Sequence, residues 1–162
     1  MGLSFLMLLF LLLLVVAFLA VTVACIPKVI VKTAPKDIQE KVLDRPDYPK
    51  WRTALGFVLA ALVALGIAGV LLWAGADAVQ RRMRFGGILI RFLILLCGYK
   101  LFDMVCFDWL LLTKLHIFQH FFPETIGCKG YEHFGFNLKS QLLKLVSFAA
   151  MSAIIAAILS NI

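Results

Sequence analysis

The chain has 162 residues, of which 63% are hydrophobic and 15% are charged, and its formal net charge at pH 7 is +7. Ordinary soluble domains are nearer half apolar and a quarter charged, so a soluble fold of this length has too little interior for these apolar residues. The composition excludes an ordinary soluble enzyme and indicates a membrane protein that has no room for a separate catalytic domain.

The excess of 16 basic over 9 acidic residues lies mainly between long apolar runs. In a membrane protein such an excess marks the cytoplasmic side and contact with the anionic headgroups of the lipid bilayer. A nucleic-acid partner is not predicted, because no basic stripe is interleaved with exposed aromatic residues.

The first apolar run, residues 3–26, carries no charge. About 20 apolar residues suffice for a helix to cross the hydrocarbon core, so this run predicts the first membrane span. A cleaved signal peptide would need a basic beginning and a shorter apolar core, which the run lacks. Residues 22–25 loosely resemble a lipoprotein cleavage box ending at Cys25, but Thr22 stands where a branched aliphatic residue is expected. Processing of this span and lipidation of Cys25 stay open.

A polar connection follows at residues 27–52, with seven basic and four acidic side chains. Between two of its prolines the acids come early and the bases late, as the helix dipole favours, and Ile38 and Val42 share one face. We therefore predict a short amphipathic helix on the membrane surface. Tyr48 and Trp51 then have the position of interfacial anchors before the next span.

The second predicted span covers residues 53–76 and is rich in alanine and glycine. Ala60, Ala64 and Ala68 recur at every fourth position. Because small residues let helix backbones approach closely in lipid, these alanines predict a helix-packing face. Packing within the chain is favoured over a dimer seam, since the other spans need a central partner.

The third predicted span, residues 88–112, is unusual because it carries four charges. Lys100 and Asp103 are neighbours on one helical face, and Asp108 lies in the same quadrant. Charges at membrane depth are costly and usually face a bundle interior or a water-filled cavity. This intramembrane cluster indicates a proton relay, an ion site or a structural clasp, and Asp108 can also be interfacial. The clasp is favoured because the broken helices and repeats of transporters are not evident.

The fourth predicted span, residues 138–162, follows a second polar connection at residues 113–137. These two connections carry most of the Lys and Arg residues, so the positive-inside rule assigns both of them to the cytoplasm. Both chain ends are then expected outside. The short middle turn runs against this assignment, because it contains three arginines, Arg81, Arg82 and Arg84.

The second connection carries the side chains with the most potential chemistry. His116, His120 and Glu124 follow at intervals of four and would share one face if the third helix continued. Two histidines at i and i+4 can share one metal ion, and Glu124, Cys128 or His133 can complete a tetrahedral set. A proline directly before Glu124 argues against such a continuous helix. Polar interfacial residues are therefore favoured over a metal centre, and no cofactor is predicted.

Three stretches of the chain form a recognisable set: PKDIQE at residues 35–40, FD-x4-DW at residues 102–109, and PET-x-G followed by GY-x2-FGFN within residues 123–137. Together they resemble a group of uncharacterised small bacterial four-span membrane proteins. The resemblance covers most of the chain from Pro35 onward and implies a bacterial inner-membrane protein of this topology. That group has no assigned activity, so the resemblance implies no catalytic residue.

The sequence thus predicts an all-α polytopic membrane protein, with four spans and one short amphipathic helix in a single transmembrane domain over residues 1–162. No nucleophile elbow, Cys/His/Asn spacing or Gly-rich phosphate loop indicates catalysis. The leading hypothesis is a non-enzymatic protein that contacts a membrane or cytoplasmic protein partner through its two polar connections. The alternatives are a homo-oligomeric transporter or channel with a charged path on the third span, and a metal-dependent membrane enzyme.

Overall fold

The structure, a computed structural model, describes residues 2–132 and 138–161. The regular secondary structure of these residues is entirely helical, which confirms the predicted all-α class. The α-helices are α1 (Gly2–Cys25), α2 (Pro27–Ile30), α3 (Lys36–Leu43), α4 (Lys50–Gln80), α5 (Phe85–Phe92), α6 (Gly98–Phe102), α7 (Ile117–Phe121) and α8 (Leu138–Leu159).

Three of the described helices, α1, α4 and α8, are long and apolar enough to cross a membrane. Each coincides with an apolar run that contains no proline, so nothing in the sequence interrupts the ladder of backbone hydrogen bonds. Helix α1 ends directly before Ile26, whose φ of −135° is not helical and which precedes Pro27. Helices of this length and composition indicate a membrane protein.

The region of the predicted third span, residues 88–112, is helical but not one continuous α-helix. Between α5 and α6 the backbone is π-helical over Leu93–Cys97, and after α6 it is π-helical over Asp103–Lys114. Just after the second of these stretches, the N–H of Leu115 donates over 2.8 Å to the carbonyl of Leu110, five residues earlier in the chain. The wider π turns alter which side chains share a face, so the spacing of an ideal α-helix does not apply here.

The described residues divide into two compact units. The first unit comprises residues 2–15, 65–103 and 138–161, and its core is built from aliphatic and aromatic side chains of α1, α4, α5 and α8, with Leu95 between α5 and α6. Met7, Ala74, Ile88 and Leu95 are fully buried there.

The second unit comprises residues 16–64 and 104–132. It contains the end of α1, the beginning of α4 and both polar connections. Its apolar core includes Ile38 and Val42, both fully buried. The apolar face of α3 therefore packs into the protein itself, and the predicted place of this helix on the membrane surface stays a prediction.

The alanines of the predicted packing face lie in different surroundings. Ala60 is buried, while Ala64 and Ala68 are exposed. Residues four apart are offset by about 40° in an α-helix of 100° per residue, so the three alanines spread over about 80°. Further along α4, the buried small residues are instead Ala74 and Ala78.

Candidate functional site

The two polar connections are held together by the side chain of Asp37, the second residue of α3. Its Oδ2 accepts a hydrogen bond of 2.8 Å from the backbone N–H of Gly130, and its Oδ1 accepts one of 3.0 Å from its neighbour Ile38. The thiol of Cys128 lies 3.7 Å from the backbone carbonyl of Asp37, to which it donates. We refer to residues 27–52 and 113–132, joined in this way, as the paired connections.

A glycine is required at position 130 for this contact. A Cβ atom built on Gly130 would lie 2.5 Å from Oδ1 of Asp37 and 2.5 Å from Cβ of Pro35. The ring of Pro35 is rigid, so the contact cannot be relieved by rotating a flexible side chain. The two connections can therefore approach each other closely only because Gly130 has no side chain.

Arg45 joins the same two connections at the other end of α3. Its Nη1 donates to the carbonyl of Phe121 over 3.1 Å and lies 3.6 Å from Oε1 of Glu124. Its guanidinium also lies 5.7 Å from the ring centre of Phe122, which is fully buried. A cation that contacts a carbonyl, a carboxylate and an aromatic ring ties the chain after α3 to the chain after α7.

Tyr131 forms the polar centre of the core beneath these contacts. Its hydroxyl lies 2.7 Å from Oγ1 of Thr125, and its ring centre is 5.3 Å from that of His116. Burial raises the pKa of the Tyr131 phenol, against the lowering effect of the hydrogen bond with Thr125. The phenol is therefore neutral and serves as a structural hydrogen-bonding group at ordinary pH.

A cavity of about 120 Å³ lies in the second unit where α1 ends and α4 begins. Arg52 contacts one of its lining residues: its guanidinium lies 4.1 Å from the ring centre of Tyr48, and its Nη2 donates to the carbonyl of Ala24 over 2.7 Å. Apolar and charged side chains share the lining, among them Ile26, Val29, Phe57, Lys28, Arg45 and Asp47. The cavity offers both an apolar and a basic surface to a ligand.

The predicted metal ligands do not lie along one helical face in the described structure. His116 has a left-handed backbone with φ of +46° and precedes α7, His120 lies on α7, and Glu124 follows the end of that helix. Glu124 instead faces Arg45. Among the described residues no group of three His, Cys, Asp or Glu side chains is arranged to hold a metal ion, and His133 lies outside those residues.

The predicted intramembrane charges divide between the two units. Lys100 is only 4% exposed and forms an ion pair with Asp103 in the first unit. Asp108 belongs to the second unit, where its backbone carbonyl accepts a hydrogen bond of 2.8 Å from Oγ1 of Thr113. The adjacency of Lys100 and Asp103 was predicted from their spacing.

A second buried ion pair was not predicted. Nη1 of Arg91, a residue only 5% exposed, donates to Oδ2 of Asp77 over 2.7 Å and to the carbonyl of Ala74 over 3.1 Å. The exposed side chain of Arg81 also contacts Asp77, at 2.9 Å. In the sequence, this ion pair is indicated only by two opposite charges, one on each side of a short turn between two helices. Two helices joined by such a turn form a helical hairpin, which can bring the charges together.

Comparisons with protein-family models, with curated proteins and with solved structures found no match to this chain.

Proposed function

We propose that this chain is a small multi-pass membrane protein that works without catalysis, by holding a protein partner against the paired connections. The observation that carries this proposal is the hydrogen bond between Asp37 and Gly130, residues that are 93 positions apart and belong to different connections. Connections joined in this way present one ordered surface. An ordered surface loses less conformational entropy on binding than two separate loops would.

Exposed apolar side chains on the paired connections support partner binding. Leu43 at the end of α3 is 40% exposed, Phe121 at the end of α7 is 52% exposed, and Ile126 is 63% exposed. Aromatic and aliphatic groups surrounded by charged residues are typical of the centre of a protein interface. These three residues are the proposed contact points.

The proposal includes a topology with four spans, in which the predicted span over residues 88–112 is the third. Both polar connections then lie on the cytoplasmic side of a bacterial inner membrane, and both chain ends lie outside. The excess of Lys and Arg in the connections supports this orientation. Their packing into one unit supports it further, because segments that contact each other lie on the same side of a bilayer.

The test is gentle detergent extraction followed by mass spectrometry of the protein and everything that accompanies it. We expect a stoichiometric second protein, which the double variant Phe121→Ala and Ile126→Ala loses by at least about tenfold. The matched control is Leu72→Ala and Leu143→Ala, which removes exposed apolar surface from α4 and α8 and should leave the partner bound. A monomer without any accompanying protein, or equal loss in both variants, contradicts the proposal.

A second candidate is an oligomeric transporter or channel, favoured by the buried pair of Lys100 and Asp103. Ionisable residues inside a membrane frequently mark ion pathways. In proteoliposomes, Asp103→Asn should abolish ion flux while the protein stays folded, whereas Asp47→Asn, at an exposed carboxylate, should leave flux unchanged. Loss of the fold in Asp103→Asn would instead assign the pair to a structural clasp.

A further inference from the structure

The cavity between the end of α1 and the beginning of α4 has both apolar and basic lining residues, and none of them is a proposed contact point for the protein partner. We propose that it binds the headgroup of one anionic phospholipid, with the phosphate against Lys28 and Arg45 and the acyl chains along α4. This inference goes beyond the proposed partner and requires only that the chain lies in a bilayer.

The position of the cavity suits a lipid headgroup. It is lined by Cys25, the last residue of one helix that is long enough to cross a membrane, and by Thr53, in the first turn of another. Tyr48 lines it, and Trp51, three residues further along the chain, is exposed. Tyrosine and tryptophan are enriched at the depth of the headgroups, where apolar helices emerge from the hydrocarbon core.

The charge of the lining favours an anion. Lys28 and Arg45 contribute two positive charges and Asp47 one negative charge. Nζ of Lys28 lies 2.8 Å from Oδ1 of Asp47, but the side chain of Asp47 is 84% exposed. A pair so open to solvent is worth little, so Lys28 can exchange that carboxylate for a phosphate at small cost.

Arg45 can bind a phosphate without giving up its present contacts. Its bonds to the carbonyl of Phe121 and to Glu124 both use Nη1. A guanidinium carries five N–H donors in a planar fork, which matches the geometry of phosphate oxygens. Arg45 can therefore stabilise the paired connections and contact a ligand at the same time.

The size and the apolar wall of the cavity identify the source of the phosphate as a lipid. A volume of about 120 Å³ has room for a phosphate group but not for a whole lipid. Phe57 lines the cavity and is 53% exposed, and Ala61 and Ala64, four and seven residues further along the same face of α4, are exposed as well. Apolar surface thus continues outward from the cavity, where acyl chains can lie. A soluble phosphate would leave this surface unused.

The experiment is a titration of the delipidated protein, in a neutral detergent, with phosphatidylglycerol, phosphatidylcholine or glycerol phosphate, followed by native mass spectrometry. We expect one molecule of phosphatidylglycerol to bind at least about tenfold more tightly than either of the other two. The double variant Lys28→Gln and Arg45→Gln should weaken that binding by about tenfold or more, because each basic residue near an anionic surface contributes appreciably.

The control is the double variant Lys32→Gln and Lys41→Gln, which makes the same change in charge at two exposed residues of the same connection and should keep the affinity. Thr53→Leu narrows the cavity without changing its charge and should also weaken the binding of phosphatidylglycerol. This variant tests the proposal independently if the loss of Arg45 unfolds the protein. Equal loss in the control, unchanged binding in Thr53→Leu, or equally tight binding of glycerol phosphate overturns the proposal.

Discussion

The carboxylate of Asp37 and the backbone N–H of Gly130 are joined by a hydrogen bond of 2.8 Å, although the two residues are 93 positions apart. The same carboxylate accepts a bond from the N–H of Ile38 at the start of α3. One ionised group therefore stabilises a helix beginning and links two connections. Hydrogen bonds that involve a charged group are stronger than those between neutral groups.

Replacement of this carboxylate should loosen the paired connections. We expect Asp37→Ala to lower their local stability by about 1.5 to 3 kcal/mol, the usual contribution of a hydrogen bond to a charged group. Hydrogen exchange measured by mass spectrometry should be about tenfold or more faster in the peptides that contain α3 and residues 129–131. Glu40→Ala removes an exposed carboxylate from the same helix and should leave both peptides protected. Unchanged exchange in Asp37→Ala would show that the bond does not hold the connections.

The beginning of α4 should not tolerate a side chain at Gly56. A Cβ atom there would lie 2.5 Å from Cβ of Cys25 and 3.0 Å from Cγ2 of Ile26, so Gly56→Ala should lower the stability by about 1 to 3 kcal/mol through overpacking. Gly69→Ala is the control on the same helix, because nothing lies within 4 Å of its added Cβ. Thermal unfolding in detergent should show a lower Tm for Gly56→Ala and an equal or higher Tm for the control. Equal values for both variants would contradict the close approach.

The buried pair of Asp77 and Arg91 should matter more than the exposed contact of Asp77 with Arg81. Asp77→Asn leaves Arg91 buried beside a neutral group, with its Nε lacking a hydrogen-bond partner among the described residues, and should cost on the order of 3 kcal/mol. Arg81→Gln should cost no more than about 1 kcal/mol, because that side chain is exposed.

The double variant Asp77→Asn and Arg91→Gln removes both buried charges and should be more stable than Asp77→Asn alone. Unfolding by a denaturing detergent, measured for all three variants, tests the order. A double variant less stable than Asp77→Asn would contradict the expectation that an unpaired, buried Arg91 destabilises the protein.

Alkaline pH should weaken the core around Tyr131. Burial raises the pKa of its phenol above that of a free tyrosine, about 10. Between these two pKa values the unfolded chain loses the proton while the folded protein keeps it, so the stability present at neutral pH falls as the pH rises. The difference in phenolate absorbance between the wild type and Tyr131→Phe isolates this titration from those of the other two tyrosines. A midpoint at or below that of a free tyrosine would contradict the burial.

The long helices were accessible to sequence reasoning because hydropathy acts locally and continuously. The predicted first run, residues 3–26, corresponds to α1 at Gly2–Cys25, and the predicted second run, residues 53–76, lies within α4. The adjacency of Lys100 and Asp103 was equally accessible, since it depends only on residues within one turn.

Contacts between distant residues were not accessible in this way. Nothing in the spacing of Asp37 or Gly130 indicates that they meet, and helix periodicity cannot anticipate π turns or the left-handed backbone of His116. The exposure of Ala64 and Ala68 also depends on which neighbours α4 meets, which a sequence of small residues leaves undetermined.

Helix α4 has 31 residues and is therefore about 46 Å long, whereas the hydrocarbon core of a bilayer is about 30 Å thick. Tilt alone would have to reach about 50° to absorb that difference, which exceeds the usual range for membrane helices. At least one end of α4 consequently lies outside the hydrocarbon core. Bilayer thickness then sets how much of the helix emerges, so membranes of different thickness should retain this protein to different extents.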